Sequence, residues 1–143
     1  MIALDTSILV YAHRAHTAQH SAAARALQRA SQDPNGWGFA LPVLAEFWKV
    51  VTSRRSAGGP SSARQAAAFL EALFRAGAIC WLPSAGAGQR LVEAAKRMDA
   101  VESAVFDLQI ALICRDHGAR ELWTADVAFP SVSGLRVVNP LAP

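Results

Sequence analysis

The chain opens Met1-Ile2-Ala3-Leu4-Asp5-Thr6-Ser7-Ile8-Leu9-Val10-Tyr11-Ala12. Met1–Leu4 is a short apolar run, consistent with a buried strand. It stops at Asp5, and from Thr6 to about Ala12 the residues can form a helix with Asp5 or Thr6 as its cap. A strand that ends in a carboxylate and passes at once into a helix sets a pattern that recurs along the chain.

A second helix is expected over roughly Thr17–Ala30, rich in Ala, Leu, Gln and Arg. Asp33-Pro34-Asn35-Gly36 is a turn signal, after which Trp37–Leu41 reads as a strand. Pro42 stands as the first residue of a helix to about Ser53, with Val43, Leu44, Phe47, Val50 and Val51 on one broad face. Ala57-Gly58-Gly59-Pro60-Ser61 breaks the chain, and Ser61 or Ser62 caps a helix to about Ala76. Ala78–Leu82 is a third strand, Ser84–Gly88 a loop, and Gln89–Met98 a helix. Glu102 or Ser103 opens another helix to about His117, with Gly118 as its C-cap. Glu121–Thr124 and Leu135–Val138 complete the strands. Strands alternating with helices predict an α/β domain with a mainly parallel sheet of four to five strands and helices on both faces. With 143 residues, one domain spanning 1–143 is expected.

Apolar residues make up 52% and charged residues 17% of the chain, ample for a buried core. No apolar run has the length needed to span a bilayer, and the N-terminus lacks the basic and apolar segments of a signal peptide, so no membrane partner and a cytoplasmic location are expected. Cys80 and Cys114 are far apart and lie in apolar stretches, which fits buried free thiols. The net charge of +3 favours polyanionic partners. Lys49 and Lys96 are the only lysines, so 12 of the 14 basic residues are arginines; arginine suits bidentate phosphate contacts, although codon bias also enriches it.

Most of the 11 acidic residues have ordinary places in turns, on solvated helix faces or at element ends. Four do not. Asp5 follows the first strand directly, and Asp126 follows the strand through Trp123 and Thr124 closely. Sites in open parallel sheets form beyond the carboxyl ends of strands, which puts both acids on one edge. Glu46 and Asp107 lie near the starts of their helices, and a helix that follows a strand begins at that same edge. The placement of Glu46 is direct, whereas an extra helix precedes that of Asp107. The segment Ala104–Cys114 is apolar on nearly every face, so an ionised Asp107 needs compensation from hydrogen bonds, a cation or a metal. Converging carboxylates repel one another, and a divalent cation makes such a cluster tolerable. Oxygen ligands without Cys or His suit Mg²⁺ or Mn²⁺. Beside a phosphodiester, such an ion supports hydrolysis.

These segments resemble the acidic motifs of PIN-domain nucleases: Ile2–Ala12 the first, Leu41–Phe47 the second, Asp107–Ala111 the third and Thr124–Phe129 the fourth, with Leu135–Leu141 also fitting. By size and motifs the chain is most similar to VapC-type toxins of toxin–antitoxin pairs. That resemblance implies a three-layer α/β/α sandwich, Mg²⁺- or Mn²⁺-dependent endoribonuclease activity on RNA, a homodimer and a cognate antitoxin. It assigns Asp5, Glu46, Asp107 and Asp126 as the catalytic and metal-binding quartet, with Thr6 or Ser7 as polar support. Two positions depart from the family pattern. Ser7 stands where asparagine is common, and Ala128 where many relatives carry another acid.

Other features have competing readings. His13, His16 and His20 could share a helix face as a zinc site, but a break near Ala15–Thr17 interrupts the spacing. His117 suits a helix C-terminus. Arg14, Arg54 and Arg55 are either ordinary helix-end cations or RNA-phosphate contacts. Trp37, Trp48, Trp81 and Trp123 read as core or dimer residues rather than stacking platforms. Gly86-Ala87-Gly88 lacks the remainder of a dinucleotide or phosphate-loop motif. A haloacid-dehalogenase-type phosphatase needs a second acid where Ser7 stands. The alternative to a ribonuclease is a catalytically inactive PIN-fold module that binds RNA or protein; four carboxylates gathered together favour the enzyme.

Overall fold

In the computed structural model, which describes residues 1–143, the opening residues form strand β1 (Ile2–Leu4), all three of them buried. The remaining elements follow in the expected order: α1 (Thr6–His13), α2 (His20–Ser31), β2 (Trp37–Ala40), α3 (Leu41–Thr52), α4 (Ala63–Arg75), β3 (Ile79–Trp81), α5 (Ala87–Arg97), α6 (Ala104–Asp116), β4 (Glu121–Trp123) and β5 (Arg136–Val138). The five strands make one sheet in the order β3-β2-β1-β4-β5. Every neighbouring pair is parallel.

This order explains the apolar N-terminus. β1 is the central strand, flanked by β2 and β4, so its side chains have no solvent face. Ala3, Leu4, Phe39 and Ala40 are fully covered, which requires helices on both sides of the sheet, the layering expected from sequence. From β1 the chain builds outward through β2 and β3, then returns to the other side of β1 for β4 and β5. The crevice where that reversal occurs lies beyond the carboxyl ends of β1 and β4, the ligand position in a doubly wound sheet. Asp5 and Thr124 are the first residues past those two ends.

Local chemistry sets the boundaries. The 33–36 turn closes through an Asn35 N–H to Asp33 Oδ1 bond of 2.7 Å. Ser62 caps α4 in a reciprocal capping box with Gln65, at 2.8 and 3.1 Å. α2 starts at His20 rather than near Thr17 because Thr17 is used in a turn: its hydroxyl donates to the Arg14 carbonyl at 2.9 Å, and the His20 N–H bonds to the Thr17 carbonyl at 3.2 Å. α5 begins at Ala87, slightly earlier than expected. In β2 the backbone of β3 runs so close to Gly38 that a Cβ there would sit 2.0 Å from the Ile79 carbonyl oxygen. Glycine is therefore required for the β2–β3 pairing.

The core is one cluster of 31 buried residues, centred on the sheet and the inner faces of α1, α3 and α6. Trp37, Trp81 and Trp123 belong to it. Cys80 and Cys114 are unpaired, and burial pushes the Cys114 thiol up to about 12. No helix is long and apolar enough to cross a membrane.

Candidate active site

α1 starts at the residue after Asp5, so its first two side chains, Thr6 and Ser7, stand beside the end of β1 and divide two tasks. The buried Thr6 hydroxyl donates to Glu46 Oε2 at 2.6 Å, holding an acid that arrives from α3. The Ser7 hydroxyl donates to Asp5 Oδ2 at 3.1 Å and accepts the Ala125 N–H at 3.0 Å. Asp5 is only 6% exposed. It takes a second hydrogen bond from Thr124 Oγ, 2.7 Å away. Thr124 also accepts the Asp126 N–H at 3.0 Å. Asp126 in turn shapes its own loop, its Oδ1 accepting the Ala128 N–H at 2.8 Å. The ends of β1 and β4 are thus knitted together by two hydroxyls that serve both the acids and the backbone.

Glu46, Asp107 and Asp126 line one open cleft of about 460 Å³, together with Pro42, Lys49, Ser103 and Phe106. Asp5 lies within electrostatic reach of Asp107. The Asp107 carboxyl is half-buried, and none of the four acids' hydrogen bonds reaches it. Burial first, then the charges of Asp5, Asp126 and Glu46, lift it from 3.8 to about 6. Four acids from distant parts of the chain therefore share one electrostatic environment.

They share it without closing into a cage: no three His, Cys, Asp or Glu side chains form a ready-made metal group. The donor set nevertheless fits a hard divalent cation. All its ligands are oxygen, the acids carry uncompensated repulsion, and Mg²⁺ keeps several of its waters, which can bridge to carboxylates set back from the ion. Asp5, Glu46, Asp107 and Asp126 are the residues that could hold it.

The structure gives Arg14 to the fold rather than to a ligand. Its side chain is 8% exposed. Its guanidinium donates to the Gly59 carbonyl at 2.7 Å, to the Val51 carbonyl at 2.9 Å and to the Ser56 hydroxyl. That clamp fastens the 53–60 loop to α1 and leaves no donor fork for phosphate. Arg54 and Arg55 stay exposed just beyond α3. The three histidines go to separate partners. His13 meets the Ser61 hydroxyl at 2.8 Å, His20 faces the Tyr11 carbonyl at 3.1 Å, and His16 lies against Gly58. His117 stands at the C-cap of α6 and reaches the Leu82 carbonyl at 2.7 Å.

Sequence reasoning missed Thr124, Lys49 and Phe106. Thr124 had a signal, a hydroxyl residue directly at a strand end and two positions before an acid. Lys49 had the weaker one of lying three residues after Glu46, on the same side of the helix.

A PIN domain family profile matches residues 2–135. A VapC ribonuclease of Mycobacterium bovis and ribonuclease VapC43 of Mycobacterium tuberculosis are each 32% identical over 142 residues, covering 99% of this chain and 96% of the relative. Among solved structures, VapC20 of Mycobacterium tuberculosis superposes with a TM-score of 0.69 at 22% identity, over 90% of this chain and 92% of that one. VapBC2 from Rickettsia felis superposes at 0.67 and 22% identity, over 97% and 98%. The match to the family profile and to full-length relatives, with the acidic motifs meeting at one edge of a parallel sheet, places this chain in the PIN-domain family, among proteins of the VapC type.

Proposed function

We propose that this protein is an endoribonuclease that hydrolyses RNA phosphodiester bonds with Mg²⁺ or Mn²⁺, and that it acts in the cytoplasm as the homodimeric toxin of a toxin–antitoxin pair. The observation that carries this reading is the shared environment of the four acids, in which Asp107 is raised to about 6 by burial and by Asp5, Asp126 and Glu46. A protein that only bound RNA would gain nothing from concentrating negative charge where a phosphate must come.

The relatives support RNA as the substrate class. Both mycobacterial relatives are ribonucleases by name, and VapC20 is a toxin that cleaves the sarcin-ricin loop. The likeness to VapBC2, solved bound to a promoter DNA fragment, and to FitAB supports an antitoxin partner.

A bound divalent cation supplies positive charge against the phosphate oxygens and eases ionisation of an attacking water. The chain's own part is positioning. Asp5, fixed by the Ser7 and Thr124 hydroxyls, is the rigid anchor at the end of β1. Glu46, held by Thr6, forms one wall. Asp107 faces both from α6, and Asp126 stands at the outer edge, where a water-bridged contact suits it. Exposed Arg54 and Arg55, just beyond α3, are the candidates to meet phosphates of a longer RNA.

The test is cleavage of structured RNAs by antitoxin-free protein with Mg²⁺, Mn²⁺ or chelator, comparing wild type with Asp5→Asn and Asp107→Asn. Cleavage that needs a divalent cation and is lost in both variants is expected. Failure of the wild type to cleave any RNA, or normal cleavage by both variants, overturns the assignment. Induced expression should arrest growth of a host, and coexpression of the antitoxin should relieve it.

A further inference from the structure

Phe106 immediately precedes Asp107 in α6, yet its side chain is 65% exposed and lines the acid cleft. A phenylalanine on the apolar helix α6 has buried positions available to it, as Leu108, Ile110 and Leu112 demonstrate. Across the same cleft stands Lys49, the one cation among the lining residues, on α3. Ser103 and Pro42 also line the cleft. Val127, next to Asp126, is 98% exposed. The approach to Phe106 is held by a connection whose Asp99 and Glu102 both adopt left-handed backbone angles, φ +49° and +51°. For a glutamate that conformation carries a cost, the kind of local strain that packing must maintain.

A cleft lined by acids, one aromatic ring and one ammonium has the chemistry of a nucleotide site. The aromatic face stacks a base, the ammonium meets a phosphate, and the acids face the reacting phosphodiester. A base can reach a ring in this position only when it has left its own helical stack. Resting on the ribonuclease reading, we propose that Phe106 is a stacking platform for an unpaired base next to the scissile phosphate, and that Lys49 contacts an adjacent phosphate. A protein partner on the same apolar rim is the competing occupant. RNA is favoured because Lys49, Asp107 and Asp126 share the cleft with the ring, and a purely apolar contact would bury those charges.

The experiment uses the full chain and a labelled 12-nucleotide RNA, single-stranded or annealed to its complement, in chelator so that no cleavage occurs. Wild type, Phe106→Ala, Phe106→Trp and Lys49→Ala are compared. Phe106→Ala is expected to weaken single-strand binding about tenfold, within the range of one lost base–aromatic stack, and to leave duplex binding nearly unchanged. Phe106→Trp should retain wild-type affinity. Lys49→Ala should weaken both RNAs and lower the slope of log affinity against log salt by about one. A 2-aminopurine placed along the strand should be quenched at one position in wild type and not in Phe106→Ala. Because Phe106 is exposed, the variant folds, which circular dichroism checks. Unchanged single-strand binding by Phe106→Ala, with cleavage in Mg²⁺ also unchanged, overturns the stacking proposal and leaves the nuclease reading standing. A variant that changes oligomeric state in gel filtration but not RNA affinity assigns the rim to a protein contact and likewise overturns it. A wild type that neither binds nor cleaves RNA overturns both.

Discussion

Replacing Asp107 by Asn should abolish cleavage and, at the same time, stabilise the cation-free protein. In the unfolded chain this acid titrates near 3.9; in the fold it is raised to about 6, by burial and by Asp5, Asp126 and Glu46. The folded state therefore holds its proton more tightly. The penalty is absent below about pH 4, builds between the two values, and is fully present above about pH 6. At 1.36 kcal/mol per pH unit a lift of this size converts to about 3 kcal/mol, and water in the open cleft screens it to roughly 1–2 kcal/mol. Asparagine keeps the shape and removes the charge. In chelator at pH 7.5 the variant should melt about 3–8 °C above wild type, and the gain should fall to less than about half near pH 4.5. Adding Mg²⁺ should close the gap, since an ion at ten times its Kd stabilises wild type by about 1.4 kcal/mol and the variant by less. Thermal unfolding followed by circular dichroism reads all three conditions. A variant no more stable than wild type at pH 7.5 in chelator, or a gain that does not depend on pH, refutes the reasoning.

Thr124→Val removes the hydroxyl that serves both Asp5 and the Asp126 N–H; activity should fall about 10–100-fold and stability by about 1–3 kcal/mol, with Thr124→Ser restoring most of both. Thr6→Val frees Glu46 and should cost at least about tenfold in kcat/KM, read together with divalent-ion titrations. Arg14→Ala should lower unfolding free energy by about 2–4 kcal/mol in urea, because two backbone carbonyls and Ser56 lose their donors. The salt dependence of its RNA binding should stay that of wild type, which would not hold if Arg14 met phosphate. Gly38→Ala drives a methyl into the Ile79 carbonyl and should cost about 3 kcal/mol or more in the same assay.

Asp5, Glu46 and Asp126 were legible because each sits within a few residues of a strand end, where topology leaves little freedom. Asp107 was harder to place. Between β3 and its helix the chain inserts α5, and it reverses through Asp99 and Glu102 in left-handed conformations that non-glycine residues seldom adopt and that nothing in their identity announces. The apolar character of α6 pointed to a compensated carboxylate there, and its position came from the motif. Arg14 stayed open between two roles for a related reason. A helix-end arginine is the same residue whether it meets phosphate or a loop carbonyl, and the decision rests on a loop some forty residues away. Gly38 carried no periodic signal at all, since its role depends on the approach of a neighbouring strand.

The four acids are not equivalent, and their hydrogen bonds single out the one to which the proposed cation would matter most. Asp5 has two hydroxyl donors, Glu46 has one, and Asp126 has a backbone N–H of its own loop. Each of these contacts fixes the geometry of its carboxylate. Asp107 receives only repulsion and burial. Serine at position 7 fits this division: a short hydroxyl donates to Asp5 while accepting the Ala125 N–H, bridging β1 to the β4 loop. The protein thus compensates three acids with its own dipoles and leaves the fourth uncompensated. A site built only for rigidity would have no reason to do so, because one hydroxyl donating to the Asp107 carboxylate would offset the repulsion. On the proposed metal-dependent reading, leaving Asp107 uncompensated couples cation binding to its ionisation. Divalent-ion affinity should therefore climb as pH rises through about 6 and level off above it.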